Sequence, residues 1–84
     1  MVTVVLTAEA ARQLEELGNP IHGRVLKLLA RLQNWPDVSG ARPLRGDLAG
    51  RYRMRTGDYR IQFRIEGELV AVEKIGHRDG FYED

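Results

Sequence analysis

Two periods divide this chain. It opens on a short β-branched apolar run, Val2-Thr3-Val4-Val5-Leu6, which reads as a buried strand. From Thr7 the spacing lengthens to that of a helix. Thr7 stands as an N-cap and Glu9 lies in the first turn, where the helix dipole favours a negative charge. Ala10, Ala11, Leu14 and Leu17 follow at helical spacing, and Gly18 stops the run. Asn19-Pro20 then predicts a second start, with the cap followed by proline at the first helical position. Ile21, Val25, Leu28, Leu29 and Leu32 repeat at i, i+4, i+7, i+8 and i+11, the clearest amphipathic signal present. This helix should end near Gln33 or Asn34, because Pro36 pushes Trp35 out of helical geometry.

After a loop over residues 37–51, broken by Gly40, Pro43, Gly46 and Gly50, the period changes to two. Tyr52 and Met54 alternate with Arg51, Arg53 and Arg55; after a Gly57-Asp58 turn, Tyr59, Ile61, Phe63 and Ile65 alternate with Arg60, Gln62 and Arg64. That is a hairpin with one apolar face and one polar face. Glu66-Gly67 makes the next turn. A third strand, Glu68 to Ile75, holds Leu69-Val70-Ala71-Val72 in succession and reads as central, buried on both faces. Gly76 ends it, leaving residues 77–84 as a tail. The order is β-α-α-β-β-β. The expected fold is α+β, a helical hairpin packed on one face of a small, mainly antiparallel sheet, since neither layer buries its apolar face alone.

Composition narrows this further. Eighty-four residues suffice for a single domain, 1–84, with one two-layer core. There is no cysteine, so neither a disulfide nor a thiolate metal site is expected. No apolar run approaches a membrane span, no signal-peptide pattern opens the chain, and a cytoplasmic protein is expected.

The net charge of +1 conceals an asymmetry: residues 1–41 sum to zero, residues 42–64 to +5 and residues 65–84 to −4. Eleven of the thirteen cations are arginine, Lys27 and Lys74 being the exceptions. Arginine offers planar, paired donors that match phosphate and stack on bases. Arginines crowded onto one face repel one another, so an anionic partner is expected there, and RNA is the natural one.

The candidate site gathers Arg51, Arg53, Arg55 and Arg60 with His77, Arg78 and Tyr82, on the expectation that Gly76 returns His77 and Arg78 to the arginine face. It has phosphate binders, an imidazole and a phenol but no carboxylate pair, and Glu73 with His77 is too few for a metal site. No metal and no cofactor is expected. The chemistry that remains is metal-free RNA cleavage, in which a ribose 2′-OH attacks the neighbouring phosphorus and guanidinium groups stabilise the developing charge. Arginine stays protonated and is a poor base, which makes His77 the candidate proton acceptor while leaving the identity of the general base open. Among the rest, Arg64 reads as a surface charge paired with Glu66 or Glu68, His22 as exposed, and Trp35, Tyr59 and Phe63 as core. Glu83 and Asp84 read as a frayed end.

The block Leu44-Arg45-Gly46…Gly50-Arg51-Tyr52-Arg53-Met54-Arg55…Gly57-Asp58-Tyr59-Arg60-Ile61, with Ile75-Gly76-His77-Arg78…Tyr82, resembles the RelE branch of the RelE/ParE toxin superfamily, over essentially the whole chain. The resemblance implies a ribosome-dependent messenger-RNA endoribonuclease, cutting in the ribosomal A site, inhibiting translation and neutralised by a RelB-like antitoxin in a heteromeric complex. It implies that Arg53 and Arg55 contact the reacting phosphate, joined by Arg60. Arg78 would assist the transition state and leaving group, and Tyr82 would orient the base. Arg45 and Arg51 would bind RNA, with messenger and ribosomal RNA as partners. The alternatives are a ParE-like gyrase inhibitor of the same fold and a catalytically inactive relative.

Overall fold

The computed structural model describes residues 1–81; Tyr82, Glu83 and Asp84 lie outside the described residues. The elements are β1 (Thr3–Leu6), α1 (Ala8–Glu15), α2 (Ile21–Leu32), β2 (Arg42–Pro43), β3 (Arg51–Thr56), β4 (Tyr59–Glu66) and β5 (Leu69–His77), with a 3-10 turn over Gly46–Leu48. The five strands form one mixed sheet in the order β1-β5-β4-β3-β2. β1 runs parallel to β5, and the other pairs are antiparallel. Two helices on this sheet give the expected α+β architecture.

Both helices cover the same sheet face, α1 over β5 and α2 over β3 and β4. Thr7 caps α1 by accepting from the Ala10 N–H at 3.1 Å, which satisfies one of the donors a helix start leaves open. Val25, Leu28, Leu29 and Leu32 of α2 enclose the core with Met54, Ile61, Phe63, Val70, Val72 and Ile75. Each large apolar side chain so buried contributes roughly 1.5–3 kcal/mol. Trp35 closes one end, its ring edge-on to Tyr52 and Phe63 at 4.9 and 5.4 Å between centroids. Trp35 and Phe63 therefore belong to the core, as their size suggests.

Several elements differ from the sequence expectation. β1 is an edge strand with Thr3 and Val5 exposed; a β-branched apolar run reads as buried, yet only its alternate positions, Val2, Val4 and Leu6, pack against the core. α1 ends at Glu15, short of Gly18, and Pro20 rather than Asn19 takes the cap position of α2, without a side-chain cap. β2 is a two-residue strand inside the expected loop. β5 runs through Gly76 to His77: glycine weakens a strand without ending it when the backbone stays extended and paired, and here Gly76 pairs with Arg60. β5 is central, as its apolar run implies.

β5 also carries an irregularity. Phe63 pairs with Val72 and Gln62 pairs with Lys74, so Glu73 is an extra residue, a bulge. β1 ends opposite Val72, and the start of α1 serves the backbone beyond it. The Thr7 N–H donates to the Val72 carbonyl at 2.9 Å, the Thr7 hydroxyl to the Glu73 carbonyl at 3.3 Å, and the Ile75 N–H to Gln13 Oε1 at 2.7 Å. The bulge is thus held by hydrogen bonds on its far edge.

Candidate functional site

Residues paired across strands share a sheet face, so the register assigns every side chain. Tyr52, Met54, Ile61, Phe63, Val70, Val72 and Ile75 face the helices. Arg42, Arg51, Arg53, Arg55, Arg60, Gln62, Arg64, Lys74 and Gly76 face away. The arginines are therefore collected on the sheet face without helices. Three arginine pairs stand directly opposite one another: Arg42 with Arg53, Arg51 with Arg64, and Arg55 with Arg60. Like charges in that position destabilise a sheet.

One of the three is neutralised. The Glu73 carboxylate, projecting from the bulge on this face, accepts from Arg51 Nε at 2.7 Å and Nη2 at 3.3 Å, from Arg64 Nη1 at 2.8 Å and from Gln62 Nε2 at 3.3 Å. Arg64 also donates from Nε to Glu66 at 2.7 Å. Burial would raise the Glu73 carboxyl, but hydrogen bonds from Arg51, Arg64 and Gln62 with the Arg51 charge outweigh it and hold the group below the ordinary carboxylate range. Hydrogen bonds to Glu66 and Glu73 hold the Arg64 guanidinium above its ordinary value.

The other two pairs have no such relief. Among the described residues, Arg42, Arg53, Arg55 and Arg60 form neither an ion pair nor a side-chain hydrogen bond. Arg53 and Arg60 are half-buried and Arg55 is exposed. This leaves a cationic surface with free donors on three strands, suited to an extended polyanion.

The strand end completes the rim. His77 pairs with Tyr59, so it lies on the helix side, opposite in direction from Arg60, and the expectation that Gly76 would return it to the arginine face is not met. The strand simply continues one residue past Gly76. The His77 ring sits edge-on to Tyr59 at 5.2 Å, and its Nδ1 accepts from the Asp79 N–H at 3.1 Å. Tyr59 is thereby a rim residue, half-buried beside His77 rather than packed in the core. Arg78 donates its backbone N–H to the Asp58 carbonyl at 2.7 Å, pinning the tail to the β3–β4 turn. Its Nε lies 3.8 Å from both Asp58 and Asp79, and the side chain remains largely exposed.

The chain then doubles back over the open face. Phe81 is buried, its ring lying over Gly76 and beneath Lys74 Nζ, 4.8 Å from the ring centroid. Lys74 also donates to the Phe81 carbonyl. Tyr82 follows directly but lies outside the described residues. Arg45 is exposed on the loop before β3 and joins no strand pair. Arg51, expected to bind RNA, is committed to Glu73. Among the described residues no three His, Cys, Asp or Glu side chains gather as a metal-binding group, and no helix is long and apolar enough to cross a membrane.

Sequence reasoning missed Arg42, Gln62 and Glu73. For Glu73 a signal existed. The core-facing positions of β5 are Val70, Val72 and Ile75, a step of two followed by a step of three, which is how a one-residue bulge shows itself in an alternating strand.

Comparison with known proteins agrees with this architecture. Residues 4–80 match the family described as the ParE toxin of the type II toxin–antitoxin system parDE. The chain is 32% identical over 82 residues to the toxin RelG of Mycobacterium tuberculosis, covering 95% of this chain and 94% of the relative. It is 39% identical over 73 residues to the toxin RelE of the same organism, covering 86% and 74%. Among solved structures, the RelBE2 toxin–antitoxin complex of Mycobacterium tuberculosis superposes with a TM-score of 0.79 at 30% identity, covering 92% of this chain and 98% of the other. The isolated RelE toxin of E. coli superposes with a TM-score of 0.77 at 20% identity, covering 92% and 84%, which bears on the fold alone. The sheet order, the arginine face and these matches together place the chain in the RelE/ParE family, as a RelE-like toxin of a type II toxin–antitoxin system.

Proposed function

We propose that this toxin is a metal-independent endoribonuclease that cuts messenger RNA in the ribosomal A site and so halts translation in the cytoplasm. The observation that carries the reading is the contrast within the arginine face. The Arg51–Arg64 pair is neutralised by Glu73, whereas the Arg55–Arg60 pair and its neighbour Arg53 keep their like-charge repulsion. Unrelieved repulsion costs stability, and such local conflicts concentrate where function needs them.

In this reading the ribose 2′-oxygen attacks the adjacent phosphorus and the bond to the 5′-oxygen breaks. Arg53, Arg55 and Arg60 hold the non-bridging oxygens and stabilise their growing charge, each donor contributing a factor of about 10²–10³. Arg78 stands at the rim with a loosely held guanidinium and serves the departing 5′-oxygen. Tyr82, adjacent to the buried Phe81, orients the base. His77 takes the 2′-OH proton from the rim, on the ring nitrogen that does not bond Asp79, and water protonates the departing 5′-oxygen. Arginine supplies charge rather than a proton acceptor, so the rate depends strongly on placement of the messenger. A ribosome that holds the A-site codon supplies that placement, which accounts for ribosome dependence.

Neutralisation by a RelB-like antitoxin follows from the same surface. An acidic segment laid over the unpaired arginines would relieve their repulsion and block the phosphate site. The RelBE2 complex and the intact E. coli RelBE complex are both toxin–antitoxin assemblies, and they support a partner of this kind here.

The test is primer extension on messenger RNA in a reconstituted translation system, with wild type beside Arg78→Ala and Arg55→Ala. Cuts in register with the A site that fade in both variants are expected. Absence of cuts, with translation unaffected, would count against the nuclease, and inhibition of DNA supercoiling would then favour the gyrase-directed alternative.

A further inference from the structure

The unpaired cations do not stop at the open face. β2 pairs only with Tyr52 and Arg53, so beyond Arg53 the outer edge of β3 is uncovered, and Arg55 stands where the two sides of the sheet meet. There it lines a cleft of about 140 Å³ together with Arg24, Lys27, Leu28 and Arg31 of α2 and Thr56 of β3. The volume corresponds to roughly five waters at ~30 Å³ each, enough for a phosphodiester group. Four of the six lining residues are cationic and none is acidic.

Two further features set this stripe apart from an ordinary solvated helix face. Arg24, Lys27 and Arg31 fall at i, i+3 and i+7, on one side of the helix over roughly 10 Å at 1.5 Å per residue. None has an ion pair among the described residues, whereas the cation of α1, Arg12, is paired with Glu16. Arg24 also lies in the first turn of α2, which holds no acid, and so faces the positive end of the dipole, an unfavourable place for a cation. Among the described residues only Arg31 of the three is anchored, by donating to the Ser39 carbonyl at 2.7 Å.

We infer that Arg24, Lys27 and Arg31, joined through Arg55 to the arginine face, form a second phosphate-binding site that seats the backbone of folded RNA beside the strand to be cut. The inference rests on the reading of the toxin as directed at RNA, and it adds a site distinct from the reacting phosphate. An acidic peptide is the lesser fit: Leu28 is the one apolar lining residue, so the cleft has no pockets for side-chain anchors, whereas fork-shaped donors at helical spacing match successive phosphates.

The probe is a fluorescein-labelled RNA hairpin with a single-stranded extension, 2′-O-methylated throughout so that it cannot be cut. Anisotropy titrations over a range of salt compare wild type with the Arg24→Gln/Lys27→Gln/Arg31→Gln variant, thermal melts confirming that both are folded. The triple variant should bind at least tenfold more weakly, with a salt slope reduced by about two to three, since each lost phosphate contact removes close to one. The charge-keeping Arg24→Lys/Arg31→Lys variant should retain most of the slope. Unchanged affinity and slope in the triple variant would overturn the inference even if wild type cuts messenger RNA. So would failure of wild type to bind the hairpin, or a loss seen only with a poly-glutamate peptide. Hairpin binding that depends on α2, in a protein that never cuts, would sustain the second site while removing the nuclease reading.

Discussion

Arg51 faces Arg64 across β3 and β4 just as Arg55 faces Arg60 four residue pairs further along the same ladder. The backbone setting is the same, and the outcomes differ because of one carboxylate. At the first pair Glu73 lies between the guanidiniums and takes three of their N–H groups plus one from Gln62. At the second pair no acid among the described residues intervenes. The first arrangement is a structural knot whose charge is largely spent inside the molecule. The second keeps its charge available to a ligand. Counting arginines along a strand therefore overstates the binding surface, and the position of the single acid decides which of them face outward in effect.

This contrast can be broken most directly at the unpaired half. Arg55→Ala or Arg60→Ala should lower the rate of messenger cleavage by about 10²–10³ each while raising the unfolding midpoint slightly, because each removes a like-charge pair. Arg64→Ala should stay within a few fold in rate. Equal losses in both halves, measured as single-turnover cleavage, would erase the distinction. The neutralised half answers to a stability measurement instead. Glu73→Ala leaves Arg51 and Arg64 facing each other and should cost about 1–3 kcal/mol in urea unfolding, below the range for a fully buried pair because both arginines are partly solvated. Glu73→Gln should tighten binding of uncleavable RNA and steepen its salt dependence by releasing two guanidiniums.

A finer test uses pH. The folded Glu73 carboxyl is held below its ordinary value, so the unfolded chain binds its proton first as pH falls. Its contribution is then fully present above the ordinary range near ~4.3 and is lost as pH drops through the lower, folded value. The stability gap between wild type and Glu73→Gln should be flat above about pH 5 and shrink below ~4. The smallest effect belongs outside the face altogether. Arg12→Ala removes an exposed pair with Glu16 and should change stability by no more than about 0.5 kcal/mol, which sets the baseline for an ordinary surface arginine.

The parts of the molecule legible in the sequence are those with local periods. The α2 stripe, the alternation of Tyr52 and Met54 with arginine, and the continuous run in β5 each record which way their own residues point. What escaped depends on distant partners. Val2–Leu6 looks buried by composition, but only the position of β1 at the sheet edge exposes Val5. Arg42-Pro43 is too short to show any period, yet pairing with β3 places Arg42 opposite Arg53. The side taken by His77 depends on whether β5 continues past Gly76, which the pairing with Arg60 decides. The α2 cations went unremarked because the cleft forms only when the helix is laid beside the free edge of β3.

The bulge at Glu73 has a consequence for how this chain can vary. A strand paired on both sides has a reading frame, and the extra residue resets it: Lys74 and Gly76 go to the open face and Ile75 to the core. Deleting residue 73 would remove the bulge and leave Lys74 opposite Gln62 and Ile75 opposite Ile61, whereas adding one residue there would act as a frameshift in space, turning Ile75 out among the arginines and Lys74 in toward the core. Between Val72 and Lys74, β5 should therefore tolerate loss of one residue far better than gain of one, the loss costing chiefly the carboxylate between Arg51 and Arg64.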